Sequence, residues 1–219
     1  MVGQHVGCIF MGPPGSGKGT QAKLLKAELS IPHISTGDIL RAEVAAGSEL
    51  GLKVQAIMDA GQYVSDEVMN QLVKQRFLQS DVLSGYILDG YPRTIAQAES
   101  LIEILNSRGL PIPKVFYFEV PTEVLVERIS GRISCPACGA VFHKSLNPPQ
   151  KENCCQHCGH VGLSSRADDD EATLRKRLEV FTTQTAPLLS FFELQEALIR
   201  LNGQLSPSDL QEALRRHLN

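Results

Sequence analysis

The chain has 219 residues, enough for one sizeable α/β domain with insertions and a full buried core. At 42% hydrophobic and 21% charged residues it reads as neither a disordered chain nor a membrane protein. Its net charge of −3 and isoelectric point of about 6.1 argue against nucleic acid or an anionic membrane as the main partner.

The start of the chain is charge-poor and lacks both a signal-peptide pattern and a long apolar span, so a cytoplasmic home is expected. The apolar run Val6-Gly7-Cys8-Ile9-Phe10-Met11 predicts a buried strand, and Cys8 within it reads as inert. Gly12-Pro13-Pro14-Gly15-Ser16-Gly17-Lys18-Gly19-Thr20 follows, and residues 21–29 then keep a helical pattern. Strand, glycine loop and helix in that order are the context of a phosphate-binding P-loop, not of a plain Gly/Pro turn. The glycines let backbone N–H groups turn inward as a nest for anionic oxygens at a helix N-terminus. Lys18 adds a positive charge for the β- and γ-phosphates. Gly19 stands where a Ser or Thr commonly follows the lysine, so the hydroxyl on the Mg²⁺ side is assigned to Thr20, directly or through water.

Ile31-Pro32-His33-Ile34 predicts a short strand, and Ser35-Thr36-Gly37-Asp38 a turn into a helix running from Ile39 to near Gly47. Another helix spans 49–60 and stops at Gly61. Ser65-Asp66-Glu67 predicts the capped start of the next, with Val68, Leu72, Val73 and Phe77 at helical spacing. Gly85-Tyr86-Ile87-Leu88-Asp89-Gly90 is a second buried strand. Thr94 and Gln97 form a capping box before a helix carrying Leu101, Ile102 and Leu105. Residues 115–120 are a strand, and Pro121 begins a helix to about Ser130.

Residues 131–167 lose helical periodicity and carry Cys pairs and Pro148-Pro149. A helix resumes at Asp168-Asp169-Asp170-Glu171 and runs to about Ala197, with Pro187 as the place for a kink. Leu198-Ile199-Arg200-Leu201 is the last strand. Ser206-Pro207-Ser208-Asp209 opens a final helix with an N-cap, Pro at N1 and an acid at N3. Five strands alternating with helices imply an α/β, doubly wound parallel sheet covered on both faces. Ligands then bind beyond the C-terminal strand ends, where Gly12, Asp89 and the turn at 35–37 fall. Segments 35–64 and 131–167 interrupt the alternation and read as inserted subdomains.

Asp89, ending its strand, sits where an acidic residue orients Mg²⁺ in P-loop enzymes; a turn Asp before Gly90 is the plainer reading. Arg41, Arg93, Arg128, Arg132, Arg166 and Arg177 recur beside the predicted loops. Arg128 and Arg132 lie one helical turn apart, where cations also simply complement a helix dipole. Arg166 and Arg177 are about three turns apart, on one side of one helical element. Planar guanidinium groups match the charge spread over a phosphoryl group in flight. No Ser-His-Asp or Cys-His constellation is evident, and a nucleoside monophosphate acceptor needs none, its phosphate oxygen being already anionic.

Of the 6 cysteines, five lie between Cys135 and Cys158. Cys135, Cys138, Cys155 and Cys158 form C-x₂-C-x₁₆-C-x₂-C, the spacing of a structural zinc site with a closed tetrahedral shell. Disulfides, disfavoured by compartment, and free thiols are the competing readings. Cys154, His143, His157 and His160 are alternative ligands, with Cys154 left out because it would disturb the second pair's spacing.

The P-loop, Ser35-Thr36-Gly37-Asp38, Leu88-Asp89-Gly90-Tyr91-Pro92-Arg93-Thr94 and Arg166-Ala167-Asp168-Asp169 together resemble adenylate kinase in its long form with a zinc-bearing lid, as in many bacteria. The likeness covers nearly the whole chain. It implies a core of 1–34, 65–130 and 168–219, an AMP-binding domain at 35–64 and a zinc-containing lid at 131–167. The core would bind ATP phosphates at Gly15, Ser16, Gly17, Lys18, Gly19 and Thr20. Thr36, Arg41, Gln62, Tyr63 and Val64 would hold AMP, with Gly90, Arg93 and Gln97 completing that pocket from the core. Lid closure would bring Arg128, Arg132, Arg166 and Arg177 onto the phosphates, Arg166 and Arg177 also reaching AMP, with Phe142 and Gly203 near the ATP base. Two positions depart from the pattern: Tyr63 is bulkier than the aliphatic residue expected beside AMP, and Ile133 follows Arg132 where a second Arg is common.

The implied reaction is reversible, Mg²⁺-dependent transfer of the ATP γ-phosphoryl group to AMP, giving two ADP, in a lid-closed site that excludes water. The rivals are a UMP or CMP kinase, against which Thr36 and Gln97 speak, and a nucleotide-gated zinc ribbon binding nucleic acid, against which the acidic balance speaks. A monomer acting on small nucleotides, away from membranes and nucleic acid, is expected.

Overall fold

A computed structural model of the chain describes residues 5–218; the charge-poor opening, 1–4, and residue 219 lie outside it. The elements in the first half are β1 (Val6–Met11), α1 (Lys18–Leu29), β2 (His33–Ser35), α2 (Thr36–Ala46), α3 (Glu49–Asp59), α4 (Asp66–Phe77), β3 (Gly85–Asp89) and α5 (Ile95–Ser107). β4 (Lys114–Glu119), α6 (Thr122–Ser130), β5 (Arg132–Ser134), β6 (Val141–His143), α7 (Glu171–Val180), α8 (Pro187–Glu193), β7 (Leu198–Asn202) and α9 (Pro207–Leu218) follow. Five strands form one parallel sheet in the order β2-β3-β1-β4-β7. That is the doubly wound α/β architecture the alternation predicts.

Alternating side chains on the central strands build two cores. Ile9 and Met11 of β1 join Tyr86, Leu88 and Val115 in one, against Val73, Phe77, Leu101 and Leu105. Cys8 and Phe10 join Ile87, Phe116 and Phe118 in the other, against Ala22 and Leu25 of α1 and Leu210 and Leu214 of α9. A strand's period of two sends neighbours to opposite faces, so a strand buried on both must be apolar throughout. Burial pushes the Cys8 thiol up to about 12, against the pull of Lys114, which makes it the inert group expected.

Local differences from the sequence reading have identifiable causes. β2 starts at His33, two residues late, because Pro32 has no N–H for the ladder and offers only its carbonyl, to Ile87 N–H at 2.9 Å. α2 starts at Thr36 rather than Ile39, since Ser35 accepts from Asp38 N–H as a true N-cap. Ser65 stands before α4 without a side-chain cap, and Asp66 turns its carboxylate to Thr94 Oγ1 (2.9 Å) and Gln97 Nε2 (2.7 Å). Gln97 Oε1 accepts from Arg93 N–H at 2.8 Å, so the capping box is one residue wider than read.

Arg166 and Arg177 do not share an element. Asp170 caps α7, so the helix begins after it, and Arg166 precedes a 3₁₀ turn at Ala167–Asp169. Between α7 and α8 the helix widens into a π turn, Phe181–Thr185, in which Ala186 N–H reaches Phe181 O at 3.0 Å. Pro187 lacks an N–H and its ring collides with a regular preceding turn, so the wider turn answers the kink signal.

Candidate active site

The C-terminal ends of β1, β3 and β2 meet in register, with Phe10 beside Asp89 and Asp89 beside Ser35. After β1 the loop turns through Gly15 at φ +82° and Gly17 at φ +96°, left-handed values that a side chain would strain. Gly17 is the N-cap of α1 and no side chain caps that helix, whereas Ser35, Ser48, Thr94 and Asp170 each cap theirs. The first amides of α1 thus meet no side-chain acceptor, Thr20 N–H taking only the Gly17 carbonyl at 3.1 Å, at the end of the helix that favours anions.

Lys18 folds over the same loop, its Nζ donating to Gly12 O at 2.6 Å, Pro13 O at 2.8 Å and Ser16 Oγ at 3.1 Å. Burial pushes its ammonium down to about 8; Asp89 opposes this, while Arg93, Arg177 and Arg132 add to it. Loss of hydration disfavours the charged ammonium first, and the neighbouring guanidinium groups add to that more weakly.

A cleft of about 1080 Å³ opens over the loop. Gly15, Ser16, Gly17, Lys18, Gly19, Thr20, Asp89, Gly90, Arg128, Arg132, Arg166, Phe142 and Gly203 all line it. A smaller cavity beside it is lined by Thr36, Gln62, Val64 and Gln97. Arg41, Tyr63, Arg93 and Arg177 line both, so the two cavities meet at these side chains.

Five of the six arginines, Arg41, Arg93, Arg128, Arg132 and Arg177, are held by identifiable partners. Arg93 Nε donates to Gly90 O at 2.7 Å, and a side chain at Gly90 would sit 3.0 Å from Arg93 Nη2 and from Thr36 Oγ1, at φ +79°. Arg128 Nη1 donates to Gly203 O at 2.9 Å. Arg132 pairs with Asp169, with Nε on Oδ2 at 2.8 Å and Nη2 on Oδ1. Arg177 pairs with Asp168 at 2.6 Å, and Arg41 with Asp38 at 2.5 Å. Burial lowers Arg166 to about 10, with Arg41 and Arg132 adding to the effect and Asp38 and Asp169 opposing it, so it stays charged at neutral pH.

Thr36, Gln97 and Phe142 line their cavities with much of their polar or aromatic capacity engaged elsewhere. The Thr36 hydroxyl donates to Gly90 O at 2.9 Å, and the Gln97 amide is held by Arg93 N–H and Asp66. The Phe142 ring, 1% exposed, packs with Cys135 and Cys155 in a small core of its own and bounds the cleft from there.

Sequence reasoning gave no individual role to Asp168 and Asp169, which entered only as a helix start and as part of the motif Arg166-Ala167-Asp168-Asp169. Folded, they hold Arg177 and Arg132. Burial alone would raise Asp168, but Arg177, Arg41, Arg132 and Arg166 around it keep it below the ordinary carboxylate range. Two like charges 4 Å apart repel by about 4 kcal/mol at an effective dielectric of 20, so such a cluster needs resident acids to stay assembled. The available signal was the acidic pair directly following Arg166. His33 was missed too, with Nε2 3.3 Å from Asp89 Oδ2; only the pairing of β2 with β3 brings them together.

The sulfurs of Cys135, Cys138, Cys155 and Cys158 all lie within 4.8 Å of one another. Cys135 to Cys158 is 3.6 Å and Cys138 to Cys155 is 3.5 Å. A disulfide would need about 2.05 Å, whereas four thiolates about 2.3 Å from a central ion stand about 3.8 Å apart. The cluster fits a tetrahedral metal site. Each pair sits in a matching turn, with Gly139 N–H on Cys135 O and Gly159 N–H on Cys155 O, both at 2.9 or 2.8 Å. Lys23 of α1 reaches this region, its Nζ 2.5 Å from Gly139 O.

A family model described as adenylate kinase matches residues 10–197. The chain is 50% identical over 202 residues to an adenylate kinase of Anaeromyxobacter dehalogenans, covering 92% of this chain and 94% of that one. It is 48% identical over 210 residues to one of Syntrophomonas wolfei (94% and 97% covered) and 47% identical over 207 residues to one of Methanosarcina barkeri (94% and 95% covered). Likeness of this extent, over nearly the whole chain, leaves one assignment: the chain belongs to the adenylate kinase family.

Proposed function

We propose that the chain performs its family's reaction, reversible transfer of the ATP γ-phosphoryl group to AMP giving two ADP, with the following residues in the following roles. ATP phosphates lie on the loop amides of Gly15, Ser16, Gly17, Lys18, Gly19 and Thr20, in the large cleft. AMP occupies the smaller cavity, between Thr36, Arg41, Gln62, Tyr63, Val64 and Gln97, with Gly90 meeting it from the wall of the large cleft. Lys18, Arg93, Arg128, Arg132, Arg166 and Arg177 neutralise the phosphoryl group in transit, Arg166 and Arg177 also meeting AMP. Phe142 and Gly203 border the ATP base. The observation that carries this reading is that Arg93 lines both cavities, which a group bridging donor and acceptor must do.

The AMP phosphate oxygen is itself the nucleophile and needs no general base. Asp89 suits the role of orienting Mg²⁺: its Oδ2 is 3.6 Å from where a Cβ at Gly19 would stand, so the glycine leaves room beside the carboxylate. Mg²⁺ bound with ATP supplies charge neutralisation of the β- and γ-oxygens. We read 35–64 as the AMP-binding domain, 131–167 as the lid and the rest as the core, in a cytoplasmic monomer without a nucleic-acid partner. No helix among the described residues is long and apolar enough to cross a membrane. Phosphorylation of AMP far above UMP and CMP in an ATP-dependent assay is the expected result; comparable rates on UMP would overturn the base assignment.

Zinc is the ion we assign to the four cysteines, with a structural role. The thiolate set suits a soft ion, and a closed shell leaves no position for a phosphate oxygen. The core it would secure is only Cys135, Phe142 and Cys155 with Ile133, Ala140 and Leu163 around them. So few apolar groups make metal-binding free energy a large part of that segment's folding free energy. Mild chelation with Mg²⁺ retained should lower the melting temperature yet leave substantial activity in the cold. Protein isolated from zinc-replete cells without metal would refute the ligand set, and a metal-free protein folded in the cold but inactive would refute the purely structural role.

A further inference from the structure

Tyr63 lies in the short link between α3 and α4 and lines both cavities. Its ring carries the Arg93 guanidinium on its face, with Cζ 4.7 Å from the ring centroid. Its hydroxyl is 2.9 Å from Thr185 Oγ1, and Thr185 donates to the Arg93 carbonyl at 3.0 Å. Thr185 has a single hydroxyl proton, so the chain of donors runs from Tyr63 to Thr185 to Arg93 O. Thr185 is 4% exposed and ends the π turn before Pro187, which ties its position to that widening of the helix.

We propose that Tyr63 is a positioning residue for Arg93, acting on it at two points from a segment far away in sequence. The ring holds the guanidinium face, and the hydroxyl, through Thr185, holds the backbone. Gln97 Oε1 takes the Arg93 N–H and Gly90 O takes Nε. Arg93 is thus fixed at its amide, its carbonyl, its Nε and one face, and the two Nη groups remain for phosphate. An aliphatic side chain at position 63 could fill the space but could make neither contact. The inference rests on the reading of Arg93 as the bridge between donor and acceptor.

The test measures AMP and ATP affinity separately by calorimetry, without turnover, together with kcat and KM for each nucleotide. Tyr63→Leu should weaken AMP binding about tenfold, a plausible size for a cation–π contact in a partly desolvated site. ATP affinity should stay within about twofold, and Tyr63→Phe, keeping the ring, should recover most of the AMP affinity. In an Arg93→Ala background Tyr63→Leu should change AMP affinity by less than about twofold, because the coupled partner is gone. If Tyr63→Leu does not fold, Tyr63→Met, of similar reach and without a ring, takes its place. An undiminished AMP affinity in the ringless variant, or an equal loss with and without Arg93, overturns the proposal. Arg93→Ala that keeps AMP affinity and activity would instead overturn the role of Arg93 itself, so the two failures are distinguishable.

Discussion

Lys18→Met is expected to lower kcat by about 10²–10³-fold while ATP affinity changes far less. The ammonium is held over the loop by Gly12 O, Pro13 O and Ser16 Oγ, so it stands beside the loop amides that would bind phosphate before any nucleotide arrives. Methionine keeps the length of the side chain and removes the charge that follows the migrating group. Near-normal turnover in this variant would take the P-loop lysine out of the mechanism. A melting curve must accompany the assay, because the same three contacts also brace the loop.

The lysine carries a pH signature as well. Burial lowers it from an ordinary 10.5 to about 8 in the ligand-free chain, with Asp89 opposing. Between those values the unfolded chain binds more protons than the folded one, so ligand-free stability rises with pH through that window. A bound phosphate would restore the charged form, and ATP binding near the alkaline end of neutrality should therefore take up protons. Calorimetry in buffers of different ionisation enthalpy reads that uptake directly, and Lys18→Met should abolish its alkaline component. Equal proton uptake in the variant would assign it to another group.

Arg93→Lys should cost about a hundredfold or more in kcat/KM, roughly 3 kcal/mol, although it keeps the charge. Arg93 uses Nε for Gly90 O and presents its face to Tyr63, so the remaining guanidinium nitrogens are aimed as a planar fork. A lysine ammonium can satisfy Gly90 or reach phosphate, but it has no second nitrogen to do both. Unchanged kinetics would place Arg93 outside the reaction.

Much of this protein was legible in residue order because it is local. The P-loop needs its glycines, lysine and flanking strand within a few positions, and the cysteine pairs declare themselves by spacing. The capping signals at Ser35, Thr94 and Ser206 act over three residues, and each accepts from the amide three positions on. The apolar strands were readable for the same reason, since β1, β3 and β4 are buried on both faces and carry hardly a polar side chain until their ends.

What residue order could not decide was pairing between distant segments. Arg132 meets Asp169 across 37 positions, His33 meets Asp89 across 56, and Tyr63 meets Thr185 across 122. No periodicity encodes such contacts; they exist because the parallel sheet sets strand ends side by side and the helices between them are rigid. The same holds for Arg166 and Arg177, which spacing put on one helix and the Asp170 cap separates. By itself the sequence determined which chemical groups the protein owns and where its chain must turn. Only the tertiary structure decided which acid restrains which arginine and what holds Arg93 still, because those depend on geometry closed over long loops whose ends meet only in the folded state.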